Sequence, residues 1–238
     1  MTKQWNNEKE MSIFEHLEEL RQRIFTALLI FLTITVICFL YTKNISHLLQ
    51  KPAEGIKFLQ LAPGEYFFAS IKVSVYAGLI ISTPFTISQL VIFIIPGLTK
   101  KEASYLVPIL ISSISLFFTG IFFSYYILAP AALKFFIEYG AEIVEPVWSF
   151  EQYFNFILLL IFSTGIAFQI PIIQIILGVS NVFSSDQMLF FWKYAVFIAT
   201  IMGAILTPST DPITQLFMSS AIIFLYLGGI IMLKIMKK

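Results

Sequence analysis

The chain has 238 residues, of which 58% are hydrophobic and only 12% are charged. So few charged side chains cannot cover the surface of a soluble protein of this length, so the composition predicts an integral membrane protein. The formal net charge of +1 provides no basic excess and argues against nucleic acid as a partner.

Six apolar segments predict an all-α fold in which one membrane domain covers residues 1–238. Their approximate bounds, in chain order, are 24–41, 67–95, 103–128, 152–178, 194–206 and 213–233. The fifth segment is too short to cross a hydrocarbon core of about 30 Å, because an α-helix rises about 1.5 Å per residue. The two prolines Pro208 and Pro212 predict a tight turn between the last two helices. Pro108 and Pro171 are expected to bend the third and fourth helices, which would make the bundle concave.

The distribution of Lys and Arg predicts the orientation. Six spans place both termini on one side, together with ten of the 15 Lys and Arg residues. The positive-inside rule therefore predicts that both termini are cytoplasmic or stromal. Two long segments, 42–66 and 129–151, fall on the opposite side and are expected to pack against each other as a cap.

Catalytic residues are not recognisable in the sequence. The two histidines, His16 and His47, fall on opposite sides of the predicted membrane and cannot act together. The single cysteine, Cys38, lies in an apolar run and offers neither a disulfide framework nor a thiolate metal site. The sequence therefore predicts a protein that is not an enzyme and that has no metal and no cofactor.

An acidic segment directly precedes the first span. Glu15 and Glu19 are four residues apart and so share one face of a helix, while Leu17 and Leu20 form an apolar face. We expect this helix to lie along the membrane interface. Two interpretations are open: a solvated lead-in in which Glu15 or Glu19 pairs with Arg23, or a carboxylate receptor for a guanidinium group.

A second candidate carboxylate, Glu102, follows the turn between the second and third spans. Thr99 can cap the third helix, and Glu102 three residues later fits a capping box. Alternatively, Glu102 is a second acidic contact close to the Glu15 and Glu19 face. Both roles are compatible.

Polar side chains inside the apolar segments are further candidates. Gln169 and Gln215 are expected to find hydrogen-bond partners in the bundle or on another chain, because an unpaired amide in hydrocarbon costs several kcal/mol. Asp211 lies in the turn between the last two helices and is expected to cap the last helix.

An ordered set of residues resembles the TatC family, the multispanning subunit of the twin-arginine protein translocase. The residues that carry the resemblance are His16, Leu17, Glu19, Leu20, Arg21, Arg23, Gln89, Phe93, Pro96, Leu98, Glu102, Phe118, Gly120, Pro130, Phe168, Gln169, Pro171, Thr207, Pro208, Asp211 and Gln215. The set runs through nearly the whole chain, with the spacing of six helices.

The resemblance implies a receptor for the twin-arginine signal peptides of folded proteins, which are exported at the expense of the proton-motive force. It implies that Glu19 and Glu102 bind the two consecutive arginines of the signal, and that the apolar part of the signal inserts along the bundle. The implied signal-binding set also contains Glu15, His16, Arg21 and Phe93.

The resemblance also implies that the last two helices bind single-span partners of the TatA and TatB types in a multi-copy complex. The residues implied there are Thr207, Pro208, Asp211 and Gln215. The bilayer itself is a further partner. Gln169 stands where many bacterial members have glutamate, and glutamine resembles the cyanobacterial and plastid branch, which predicts a thylakoid or cyanobacterial membrane. An amide cannot titrate, so a bond to a partner helix is the better explanation of Gln169.

A different class of protein is also compatible with broken helices in the membrane. A small secondary transporter or channel would hold a solute at the midplane, between interrupted helices such as those near Pro171 and Pro208. Such a protein usually carries an acid or base within the membrane. Asp211 and Lys72 both lie near an edge of the predicted spans, which favours the translocase subunit.

Overall fold

The structure, a computed structural model, describes residues 13–94, 105–141, 143, 145–180, 182–208 and 211–236. Within these residues, five helices are long and apolar enough to cross a membrane, and a sixth apolar helix is shorter. The predicted all-α membrane fold is therefore confirmed, and the five long helices with the one short helix agree with the six apolar segments of the prediction.

The first span is one continuous helix, α1 (Ile13–Leu40), which includes the acidic segment. The expectation that this segment forms a separate helix along the interface is wrong, because nothing interrupts the helix between Glu15 and the apolar residues. A second helix, α2 (Thr42–Gln50), follows after a single residue and continues into a 3₁₀ turn, Lys51–Ala53.

The second span is α3 (Glu65–Ile94), which contains Pro84. A proline inside a helix removes one backbone hydrogen bond. The neighbouring Thr83 hydroxyl donates to the Leu79 carbonyl at 2.7 Å, so side-chain hydroxyls supply local hydrogen bonds beside the proline. α1 packs closely on α3, where a Cβ on Gly78 would meet Thr35 Oγ1 at 2.1 Å.

The third span is longer than predicted. It consists of α4 (Leu106–Phe123), a π-helical stretch (Ser124–Leu128) and α5 (Ala129–Gly140). The π-helical stretch lies just before Pro130. In a regular α-helix, the ring of Pro130 would clash with the carbonyl four residues earlier. Pro108 lies in the first turn of α4, where a missing N–H costs nothing, so the predicted kink at Pro108 is wrong.

The fourth span is interrupted where proline was expected to bend it. It consists of α6 (Phe150–Ala167) and α7 (Ile170–Val179), with Pro171 in the first turn of α7. This span is the most buried of the long helices, and Phe154, Ile157 and Leu160 are completely inaccessible. Helices α3 and α4 pack directly against α6, whereas α1 packs on α3.

The two predicted loops on the side opposite the termini are largely ordered. Residues 42–66 contain α2 and strand β1 (Lys57–Leu59), and residues 129–151 contain α5 and strand β2 (Val147–Ser149). β1 and β2 pair in parallel, with Phe58 opposite Trp148. Hydroxyls of Tyr125 and Tyr153 donate to the α2 carbonyls of Leu48 and Leu49, at 2.7 and 2.5 Å. The two segments therefore pack against each other.

One carboxylate joins these segments. Glu65 accepts bonds from the backbone N–H groups of Leu61 and Ala62 at 2.6 and 3.2 Å through Oε2. Its Oε1 accepts from the Ser149 hydroxyl at 2.6 Å and from the Glu151 N–H at 2.9 Å. Glu65 is buried and fixes the first turns of α3 and α6 to the strands.

The last three helices are α8 (Ser185–Phe190), α9 (Trp192–Leu206) and α10 (Pro212–Ile235). Ser184 begins α8 with a complete capping box, with Gln187 as its partner. α9 packs on α10, where a Cβ on Gly203 would meet Ser219 Oγ at 2.2 Å. The end of α9 reaches α6, because the Ser163 hydroxyl donates to the Leu206 carbonyl at 2.8 Å.

Candidate functional site

The acidic segment of α1 lies against the last turns of α3 and forms a polar rim with them. Arg23 connects the two helices: its guanidinium contacts Glu19 Oε1 at 3.0 Å and Gln89 Oε1 at 3.2 Å. The Glu19 side chain is 19% exposed and the Arg23 side chain 32% exposed. Arg23 therefore fixes one oxygen of the Glu19 carboxylate and orients the group.

The second oxygen of Glu19 has no partner among the residues that the structure describes. Oε2 is buried and makes no hydrogen bond with any residue that the structure describes. A carboxylate oxygen removed from water without a donor is unfavourable by several kcal/mol. This oxygen is therefore ready to accept a hydrogen bond from a donor that comes from outside the described chain.

A shallow recess of about 630 Å³ opens beside Glu19. The described residues that line it are Phe14, Glu15, Glu18, Glu19, Gln22, Arg23 and Thr26. Three of these side chains are acidic and one is basic, so the recess favours a cationic group. A planar guanidinium can donate two parallel hydrogen bonds to a carboxylate, which makes it the cation that this geometry suits best.

An aromatic pair stiffens the same rim. The imidazole of His16 stacks on the ring of Phe93, with centroids 4.3 Å apart and an interplanar angle of 13°. Phe93 lies one helical turn after Gln89 and on the same face of α3. The stacked pair and the Arg23 contact thus hold α1 against α3 on both sides of Glu19.

The structure brings together only some of the predicted signal-binding residues. Glu15, Glu19, His16 and Phe93 lie along the rim described above. Arg21 is directed to another recess, which it lines with Leu17, Leu20, Ile24, Phe25 and Leu28, and it pairs with Glu18. Glu102 lies outside the described residues, so its distance from Glu19 stays a prediction.

Gln89 is the rim residue that sequence reasoning missed. It appears in the set that resembles the TatC family, but it was not assigned a role. The signal that could have identified it is its spacing, four residues before Phe93 and one turn from the end of an apolar run.

The interrupted fourth span carries the first intramembrane candidate. Gln169 lies at the break between α6 and α7, and its amide meets Ser113 of α4 twice. The Ser113 hydroxyl donates to Gln169 Oε1 at 2.5 Å, and Gln169 Nε2 donates to the Ser113 carbonyl at 3.1 Å. The hydrogen-bond partner that was predicted for Gln169 is therefore Ser113 of the same chain.

An apolar cleft adjoins this polar pair. The cleft has a volume of about 270 Å³ and lies between α3, α4 and α7. Gln169 and Ser113 form part of its wall, and most other wall residues are aliphatic, including Leu90, Ile109 and Ile172.

The turn between α9 and α10 holds the remaining candidates. Asp211 is buried and caps α10: its carboxylate accepts from the Thr214 N–H at 2.8 Å and from the Thr214 hydroxyl at 2.5 Å. The Thr207 hydroxyl donates to the Gly203 carbonyl at 2.7 Å. Pro208 is exposed and lines a recess with residues of α5, β2 and α6, including Trp148 and Phe156.

Gln215 differs from Gln169. Its side-chain amide is half-buried and makes no hydrogen bond with the described residues, although its backbone carbonyl accepts from Ser219 at 2.7 Å. An amide on an apolar helix without an internal partner is a candidate contact for another chain.

Lys72, which sequence reasoning placed near the edge of the second span, is paired. Its ammonium contacts Glu151 Oε1 at 2.6 Å and Asn155 Oδ1 at 2.9 Å, which ties α3 to α6. Among the described residues, no group of three or more His, Cys, Asp or Glu side chains could hold a metal ion.

Comparisons with known proteins agree on one family. The profile of the Sec-independent protein translocase protein (TatC) family matches residues 15–220. A tatC-like protein of Gracilaria tenuistipitata var. liui is 68% identical over the full length of both chains. The Sec-independent protein translocase protein TatC of Synechocystis sp. is 52% identical, over 93% of this chain and 87% of that protein.

A solved structure shows the same fold. The crystal structure of a twin-arginine translocase receptor, TatC, superimposes with a TM-score of 0.81 at 33% identity and covers 94% of this chain and 100% of its own. The described chain, with its six apolar helices and acidic rim, is a multispanning membrane subunit of a protein translocase. It belongs to the TatC family, whose members work in the twin-arginine translocase with other subunits.

Proposed function

We propose that the chain is the subunit that recognises twin-arginine signal peptides and takes part in transport of folded proteins. The observation that supports this most directly is the unpaired Oε2 of Glu19 beside an acidic recess. The solved relative is a twin-arginine translocase receptor, which agrees with a binding role. The family assignment leaves no support for the alternative of a small transporter or channel.

The chemistry of the rim accounts for selection of arginine. One arginine of the signal donates to Glu19 Oε2, while Arg23 keeps Oε1 occupied and the carboxylate oriented. Hydrogen bonds to a charged group contribute about 1.5–3 kcal/mol each. A lysine presents one compact ammonium without the planar fork, and so it replaces arginine poorly.

Glu102 is the proposed contact for the second arginine, on the resemblance described above. This role is compatible with a capping-box bond at the start of the third span, because a carboxylate has two oxygens. Glu15 adds negative charge to the recess, and the His16–Phe93 stack supports the backbone around it.

The apolar part of the signal is proposed to enter the cleft between α3, α4 and α7. The cleft is lined mainly by aliphatic side chains, which favour an apolar guest. Gln169 lies at its wall with its amide satisfied by Ser113, so it presents no unpaired polar group to that guest.

Single-span partners of the TatA and TatB types are proposed to bind at α9 and α10. Support comes from the side-chain amide of Gln215, which forms no hydrogen bond with the described part of the chain, and from the exposed apolar side chains Phe197, Ile201 and Leu216. α9 and α10 approach each other closely at Gly203, so the opposite faces of both helices are directed outward. Several copies assemble, and the proton-motive force drives transport.

The proposed membrane is that of a thylakoid or a cyanobacterium, with both termini on the stromal or cytoplasmic side. The distribution of Lys and Arg supports the orientation. Gln169 and the similarity to the Synechocystis protein support the membrane. In this arrangement the acidic rim faces the compartment in which cargo is synthesised, and the chain acts as a receptor, not as an enzyme.

The decisive experiment is site-specific photocrosslinking from positions 19 and 102 of the membrane-inserted chain. The probes are a signal peptide with an Arg-Arg pair and its Lys-Lys variant. We expect both positions to crosslink to the Arg-Arg peptide and much less to the Lys-Lys peptide. Equal crosslinking to the two peptides would contradict guanidinium recognition at this rim.

A further inference from the structure

A row of basic side chains lies on α2, at the end of the chain's first span that is opposite the acidic rim. Lys43 and His47 lie in α2, and Lys51 begins the 3₁₀ turn directly after it; the three are spaced four residues apart and follow one face. All three are exposed. Neither lysine forms an ion pair with any residue that the structure describes, the nearby Glu54 included.

The position of α2 fixes the row at the membrane surface. α1 is apolar up to Leu40, and α2 begins only two residues later, at Thr42. Leu40 and Tyr41 are 76% and 60% exposed, and Leu48, beside the basic row, is 51% exposed. Apolar and aromatic side chains next to exposed lysines are the arrangement of a helix at the boundary between acyl chains and head groups.

The helix is held rigidly in this position. Its inner face, Thr42, Ser46 and Leu49, is buried. The Thr42 and Ser74 hydroxyls share a hydrogen bond of 2.8 Å. Two tyrosine hydroxyls hold the carbonyls at its C-terminal end, as described for the cap. The row is therefore a preformed surface, and binding a ligand there orders little additional chain.

We propose that the basic row of α2 binds the head groups of anionic lipids. The lysines contact the phosphate or other acidic group, and Leu48 with Tyr41 contacts the upper acyl chain. A soluble acidic protein segment would match the charge but would not provide an apolar contact for Leu48 and Tyr41. The lipid is therefore the occupant that both the charge and the apolar neighbours fit. This role is independent of signal binding.

The test uses the full chain purified in a neutral detergent and titrated with phosphatidylglycerol or phosphatidylcholine, with native mass spectrometry to count bound lipids. The variant is Lys43→Gln with Lys51→Gln. The matched control is Lys134→Gln, because Lys134 is equally exposed on the same side but is already paired with Glu138 at 3.6 Å. Unfolding midpoints of all proteins show that they are folded.

We expect the unmodified chain to prefer phosphatidylglycerol over phosphatidylcholine. The double variant should bind phosphatidylglycerol about 30-fold more weakly, since each lysine near an anionic surface contributes about a factor of five. The control should stay within about twofold. Unchanged phosphatidylglycerol binding by the double variant would overturn the proposal. Displacement of the lipid by inorganic phosphate would overturn it as well, because the row would then be a site for free anions.

Discussion

Arg23 and Gln89 are 66 residues apart in the chain, yet the guanidinium of one lies 3.2 Å from the amide oxygen of the other. The contact joins α1 to α3 at the rim. The same guanidinium also binds Glu19. Gln89 of α3 therefore helps to orient the Glu19 carboxylate of α1, the proposed receptor group.

The first prediction concerns Glu19→Lys. The substitution replaces the acceptor of the recess with a like charge, so the affinity for an Arg-Arg signal peptide should fall at least about tenfold. The measurement is photocrosslinking or fluorescence titration with the membrane-inserted protein. The matched control is Glu138→Lys, because Glu138 is also paired four residues away, with Lys134. Retained affinity in the Glu19 and Glu102 double charge reversal would contradict the receptor role.

Gln215→Leu is predicted to separate partner binding from signal binding. The amide has no hydrogen bond inside the described chain, so its loss should leave the unfolding midpoint of the isolated subunit nearly unchanged. Co-purification of the single-span partners should decrease, and crosslinking of the signal peptide should remain. Gln152→Leu, at an exposed position of α6, is the control. Loss of signal binding with partners retained would refute the assignment.

Gln169→Leu, in contrast to Gln215→Leu, is predicted to destabilise the isolated subunit. It removes both hydrogen bonds to Ser113, so the free energy of unfolding in detergent should fall by about 1 kcal/mol, the scale of interhelical bonds in membranes. Ser113→Ala and the double variant complete a double-mutant cycle. The bond from Gln169 Nε2 to the Ser113 carbonyl survives Ser113→Ala, so the cycle measures the bond of the Ser113 hydroxyl. If the effects of the two single substitutions simply add, this hydroxyl bond does not couple α4 to α7.

Glu65→Ala is predicted to loosen the cap. The substitution leaves the N–H groups of Leu61, Ala62 and Glu151 and the hydroxyl of Ser149 without their acceptor. Hydrogen exchange of residues 57–62 and 147–151 should therefore become faster. Glu54→Ala, at an exposed position nearby, should change it little. Equal exchange in both variants would show that the strands hold the cap without Glu65.

The sequence predicted the apolar helices well because each is a local hydropathy pattern, and all except α9 are long enough to cross a bilayer. For the segments between the predicted spans, the sequence predicted that 42–66 and 129–151 pack together, but it did not predict their helices and strands. The helix around Lys134 and Glu138 carries an i, i+4 charge pair that could have been recognised, but the pairing of Phe58 with Trp148 joins residues distant in the chain.

The candidate site shows the same division. The acidic face of Glu15 and Glu19 follows from helical spacing and could be predicted. The separation of Arg21 from Glu19 also follows from helical spacing, because residues two apart lie on opposite faces. The contact between Arg23 and Gln89 depends on how α1 rotates against α3. The packing of the two helices decides that rotation, and the hydropathy pattern of a single helix does not predict it.

The shortness of α9 has a mechanical consequence for the surrounding bilayer. Fifteen residues of helix span about 22 Å, against a hydrocarbon thickness of about 30 Å. Lipids beside α9 must compress, while those beside the other spans need not, so the elastic strain is confined to one flank of the molecule. Each ångström of compression costs a fraction of a kcal/mol, and a second short helix placed there would relieve part of it.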